Sequence, residues 1–221
     1  MAQNNPLQPE AVENSLSSFE QFVNRYGKPV LWCVAAALLV VAGFLAYNRW
    51  VAAPARENAR SAMFAAERAF AAGEFQTALN GDGNNPGFVQ VIEEFGGKAD
   101  PSVYYYAGVS ALQLDLNQDA IDYLRKYKCT DPVMRGRAFC CIGDAYVNLE
   151  NYGEALGWYT KAAAAGENAF RAAYLKKAAL VQEKLGKEAE ALRLYREIEA
   201  KYPQTTEGIE AVRFISRIVN R

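Results

Sequence analysis

Asp119-Ala120-Ile121, Glu154-Ala155-Leu156 and Glu190-Ala191-Leu192 follow one another at intervals of 35 and 36 residues. Other positions move with them. Twelve residues before the three alanines stand Gly108, Gly143 and Ala179, and four residues after them stand Leu124, Tyr159 and Tyr195. Pro132 and Pro203 lie 12 residues beyond the first and third alanines. Everything after Trp50 reads as Ala-rich helical segments with short Gly, Asn or Pro punctuation and little strand-like alternation, so the class is all-α. A small pair, Gly108/Ala120, then Gly143/Ala155, then Ala179/Ala191, lets two antiparallel helices approach closely. Bulky Tyr104, Phe139 and Leu175, with Leu124, Tyr159 and Tyr195, fill the space to the next unit.

These offsets resemble the tetratricopeptide repeat, a helix-turn-helix unit that stacks into an α-solenoid. The expected repeats are 101–134, 136–169 and 172–205. The match has departures: Ala111 and Gln182 stand where Tyr146 fills the aromatic slot of the second repeat, and Ala162 has no small counterpart. A degenerate repeat is expected over 56–97, with a first helix Arg56 to Ala72 presenting Ala59, Met63, Ala66 and Phe70. Its second helix is expected over Gly87 to Phe95, with Phe88, Ile92 and Phe95 inward. In the connection Leu79 to Pro86, Asn80, Asp82 and Asn84 copy the ligand spacing of a calcium loop. Asn85 replaces its turn glycine and Val91 its bidentate glutamate, so a turn-rich insertion is the better reading. A capping helix is expected over 206–220, begun by Thr206, with Ile209, Val212, Phe214, Ile215 and Ile218 covering the end of the stack.

Ahead of the repeats, Val30 to Tyr47 runs VLWCVAAALLVVAGFLAY without a charge. Its 18 residues span roughly 27 Å as a helix. The Val, Leu and Phe side chains together favour insertion by roughly 3 to 5 kcal/mol. Trp32, Tyr47 and Trp50 near its ends suit the membrane interface, and Lys28 and Arg49 bracket it. A single transmembrane helix over 29–49 is therefore expected. Ala53-Pro54-Ala55 mimics a signal cleavage site, but 29 residues carrying three acids precede the run and Arg49 and Trp50 intervene. Basic residues on the two sides do not decide the orientation. In the tail 1–28, Val12, Leu16, Phe19, Val23 and Tyr26 form an apolar stripe on a short helix begun after Pro9.

The 221-residue chain balances 24 basic against 25 acidic residues, which offers no overall attraction to nucleic acid. It has no histidine, which excludes imidazole metal sites and every Ser-His or Cys-His nucleophile pair. No catalytic residue, metal site or cofactor is expected. Function is sought instead on the concave face of the solenoid, lined by the first helix of each pair. By register that face presents Tyr105, Val109 and Leu112, then Arg137, Cys140, Asp144 and Val147, then Lys176, Leu180 and Glu183. Some tetratricopeptide domains clamp a chaperone's C-terminal carboxylate with Lys and Asn at such positions. Tyr105, Val109, Cys140 and Asp144 replace them here, so an unfolded or extended segment, or a partner helix, suits the face better. The alternative reading has several of these side chains only packing against neighbouring turns. Cys140 and Cys141 are adjacent on a helix, about 100° apart, and do not suit pairing with each other.

A tail, one uncleaved span and a small repeat domain, with the segment ALNGDGNNPGF at Ala78 to Phe88, together resemble the YfgM-like family of bacterial inner-membrane proteins. The resemblance implies an ancillary subunit of the Sec translocon, with its tail in the cytoplasm and its repeats in the periplasm. There it would associate with a membrane-anchored periplasmic chaperone and help hand over emerging clients. The alternative is a scaffold for envelope assembly or cell division with no link to the translocon. A small-molecule enzyme is the third class, and nothing in the residues favours it.

Overall fold

The computed structural model describes residues 9–220, with side chains described from Tyr26 onward. The stripe expected at Val12, Leu16, Phe19 and Val23 therefore lies outside the described side chains. Among the described residues every element is a helix and none is a strand. The chain divides into two units, 1–54 and 55–221.

In the first unit, α1 runs from Pro9 to Tyr47 as one helix, followed by a wide π turn over Asn48–Ala52. The stretches expected as a tail helix and as a span share this one helix, with Pro29 inside it, although proline removes one backbone donor and crowds the preceding turn. The apolar window has a mean hydropathy of 2.4 and none of it is buried within the protein. Leu31, Leu39, Val40 and Phe44 are all more than 60% exposed, as a soluble core helix would not be. By length and composition α1 is a candidate membrane span.

The second unit is built from antiparallel helix pairs. They are α2 (Ala53–Ala71) with α3 (Phe75–Asn80) and α4 (Phe88–Phe95), α5 (Ser102–Gln113) with α6 (Asn117–Lys126), α7 (Pro132–Asn148) with α8 (Tyr152–Ala164), and α9 (Arg171–Lys184) with α10 (Glu188–Lys201). A single helix, α11 (Thr206–Val219), follows. Each first helix ends the same way. Gly73, Asp115, Glu150 and Gly186 adopt positive φ, between 57° and 79°. The next N–H then donates five residues back, Glu74 to the Ala69 carbonyl, Leu116 to Ala111, Asn151 to Tyr146 and Lys187 to Gln182, at 2.8 to 2.9 Å. This left-handed C-cap satisfies carbonyls that the helix end would otherwise leave open.

The turn at Gly73 puts Ala66 and Ala78 at the same offsets from it that Gly108 and Ala120 keep from Asp115. The second helix expected over Gly87 to Phe95 is α4, which buries Phe88 and Val91, and a short α3 that was not expected precedes it and buries Ala78 and Leu79. The loop 81–87 between them accounts for the longer interval of 42 residues from Gly73 to Asp115. Gly81 and Gly87 cross so closely that a Cβ on either would meet backbone at 2.3 to 2.4 Å. Asp82 accepts bonds from the Asn84 N–H, the Asn85 N–H and the Asn85 side chain, so its carboxylate closes the turn.

Thr205, and not Thr206, caps α11 by accepting from the Gly208 N–H at 3.0 Å. Phe214, Ile215 and Ile218 pack on the core, with the Phe214 ring stacked 4.8 Å from Tyr195. Ile209 and Val212, expected to cover the stack, are instead 64% and 49% exposed.

Close approach within each pair sets the spacing. A Cβ at Gly108 would lie 2.5 Å from Leu124 Cγ, and one at Gly143 2.6 Å from the Tyr159 ring. Gly143→Ala should therefore lower stability by about 1–3 kcal/mol through overpacking. Gly157→Ala, on an exposed face of α8 with nothing within 4 Å, should raise it by up to about 1 kcal/mol. Thermal unfolding of the two variants checks this; equal shifts would remove the close approach as a requirement.

Candidate functional site

A groove of about 580 Å3 is lined by Asp144 and Val147 of α7 and by residues of α9 between Lys177 and Lys184. Its apolar part comes from Val147 on α7 and Leu180 and Val181 on α9, with Tyr152 and Tyr159 of α8 at one side. Lys184, Glu188 and Arg217 bring α9, α10 and α11 to the other. The volume lies in the range of sites that accept a small molecule or a few side chains of a peptide.

Its charges are largely committed to one another. The Lys177 ammonium donates to both oxygens of Asp144, at 2.6 and 2.7 Å, and the Tyr159 hydroxyl donates to the same carboxylate at 2.6 Å. Opposite them, Arg217 donates to Glu183 at 2.5 Å and the Tyr195 hydroxyl donates to Glu183 at 2.7 Å. Burial, reinforced by these carboxylates, pushes both tyrosine hydroxyls well above their usual range, so both remain protonated donors. Burial alone would lower the Lys177 pKa, but the acidic groups around it, Cys140 and Asp144, hold it above the usual lysine value. Part-exposed ion pairs contribute only about 0–1 kcal/mol each. Their consequence here is chemical: Lys177 and Arg217 already have carboxylate partners.

Of the residues expected on the concave face, the structure brings Asp144, Val147, Leu180 and Glu183 together in this groove. It does not bring the others there. Tyr105 is 7% exposed and packs on Tyr106 and Tyr127, and Val109 and Leu112 lie half-buried against the first core. Cys140 is 8% exposed in the second core. Arg137 is exposed at the side, its guanidinium 5.5 Å from the Phe170 ring centre. Lys176 turns away to Glu210 on α11, at 2.7 Å, and its neighbour Lys177 enters the groove. Tyr159, Lys177, Val181 and Arg217 were not foreseen. The repeat register alone marks Tyr159 as a packing residue, and no local signal marks Arg217, which reaches Glu183 from 34 positions away.

No family model matches the chain, and no curated protein matches it. Among solved structures it is similar to the crystal structure of MamA, at 19% identity and a TM-score of 0.48, over 70% of this chain and 92% of that one. The repeat fold stands on the helix pairs and their shared turns.

The described residues hold no cluster of metal-ligating side chains, and all four cysteines are thiols. Burial first, and Asp144 second, raise the Cys140 thiol to about 12 and the Cys141 thiol to about 11. These folded-state values lie above the ordinary 9.0, so the pair contributes stability that is full below about pH 9 and is lost as the pH climbs toward 11 to 12. In a Cys33→Ala background at pH 8, an alkylating reagent should modify half-exposed Cys129 and spare Cys140 and Cys141 until the chain unfolds. The denaturation midpoint should fall above pH 9, and fall less when both buried thiols are replaced by alanine.

Proposed function

We propose that the protein is a membrane-tethered adaptor whose concave groove binds extended or unfolded segments of other proteins. The observation that carries this reading is the α7–α9 groove, with Val147 and Leu180 accessible and with Lys177 and Arg217 already paired to carboxylates. Val147 and Leu180 offer surface to aliphatic or aromatic side chains of a partner, and Leu180 is 38% exposed. To pair with Lys177 or Arg217 a terminal carboxylate would have to displace Asp144 or Glu183, so these two cations favour internal segments over chain ends. The candidate span α1 supports tethering, which keeps the groove near one membrane and lets weak contacts act at high local concentration.

The YfgM-like resemblance extends this proposal to an ancillary subunit of the Sec translocon. In that reading α1 crosses the bacterial inner membrane and the repeats face the periplasm. They receive clients beside a membrane-anchored periplasmic chaperone.

A photocrosslinker placed at Leu180 in cells tests the reading. Many newly exported chains, together with a translocon subunit, are the expected products, and Leu180→Asp with the crosslinker at Val147 should reduce client products several-fold. One fixed partner outside the export machinery would overturn the translocon assignment and favour an envelope or cell-division scaffold. Cytoplasmic products alone would overturn the orientation as well.

A further inference from the structure

Away from the concave groove, the second helices α6 and α8 present a different chemistry. Trp158 on α8 is half-buried against the Phe139 ring, at 5.5 Å between centres. Two cations hold to its indole: Lys161 Nζ lies 4.0 Å from the ring centre and the Arg125 guanidinium 5.4 Å from it. Arg125 is further fixed by donating to the Tyr146 hydroxyl at 2.8 Å.

Both cations are exposed, and neither has a carboxylate within 4.0 Å among the described residues. The acids of the same two helices, Asp119, Asp122 and Glu154, leave them unpaired, and Asp122 instead accepts from Gln118. Lys126 and Lys128, also exposed, follow Arg125 at the end of α6. Placement in the last turns of α6 and α8 complements the helix dipoles and accounts for basic residues there. It does not account for two like charges gathered on one indole. That arrangement holds the cations at the surface by their attraction to the ring face, with their positive charge uncompensated.

We propose that this convex site docks an acidic segment of a partner protein, with Arg125 and Lys161 pairing its carboxylates beside Trp158. Charge complementarity selects the occupant. The concave groove balances its charges internally, whereas the α6–α8 site carries unpaired positive charge in a chain of net charge -1. Two surfaces of different chemistry let the protein hold one partner by the convex site while the groove takes another. The site stands on its own residues and does not depend on the adaptor reading of the groove.

The test uses the full chain in nanodiscs of uncharged lipid, with a fluorescent Glu-rich peptide, a Gln-rich peptide of equal length, and separate vesicles containing anionic lipid. The Glu-rich peptide is expected to bind and the Gln-rich one not. Arg125→Gln with Lys161→Gln should weaken binding at least tenfold, and added salt should weaken it in the unaltered chain. Leu180→Asp should leave it unchanged. Circular dichroism shows whether the double variant is folded; if it is not, Lys161→Gln alone should weaken binding severalfold. Failure to bind, equal binding by the folded charge variants, or capture by anionic vesicles in place of the peptide would overturn the proposal.

Discussion

The contact on which the repeat unit depends is the seat of one large side chain against a small residue on the partner helix. Leu124 lies on Gly108 and Tyr159 on Gly143, with no room for a methyl group between them. Tyr195 takes the equivalent position opposite Ala179, and both are fully buried. Because the large residue lies on the second helix and the small one on the first, the contact fixes both separation and register of each pair. The left-handed turns at 73, 115, 150 and 186 deliver the chain to that register by identical hydrogen bonding. Tyr159 and Tyr195 then do more than pack. Their hydroxyls reach the groove side and bind Asp144 and Glu183, so the close approach that builds the pairs also orients the groove's charges.

That dual use explains much of the groove's character. Asp144 and Glu183 are each held by one tyrosine and one cation from a later helix, Lys177 for Asp144 and Arg217 for Glu183. The hydrogen bonds fix the polar rim and leave Val147 and Leu180 as the variable contact area, with Val181 buried beneath them. An extended segment entering there meets apolar surface bordered by the paired groups of Asp144, Lys177, Glu183 and Arg217, which selects by shape and apolarity more than by those charges. The α6–α8 face has the opposite balance, with two cations gathered on an indole and no carboxylate beside them.

Much of this was legible in residue order. The triplets around Ala120, Ala155 and Ala191 revealed the pairs, and the charge-free run Val30 to Tyr47 revealed the candidate span. The break in the first repeat was not legible, because α3 is only six residues long and its identity lies in the Gly73 turn and the crossing of Gly81 with Gly87. Register also placed Lys176 where Lys177 belongs. Periodicity aligns equivalent positions in successive first helices, but a groove between two helices takes the right side of one and the left side of the next. Asp144 therefore meets Lys177, one residue and about 100° away from the position equivalent to Cys140. Tyr105 and Cys140 were displaced from the open face for a related reason, since the stacking of neighbouring helices covers them.

Hydrogen exchange of the full chain in nanodiscs, with and without an unfolded client protein, tests the central claim most directly. The account predicts that client slows exchange in peptides covering 140–148 of α7 and 177–188 of α9 and the turn after it, while α2 to α4 are unaffected. Slowing confined to α2–α4, or no change at client concentrations that give a complex, would contradict it.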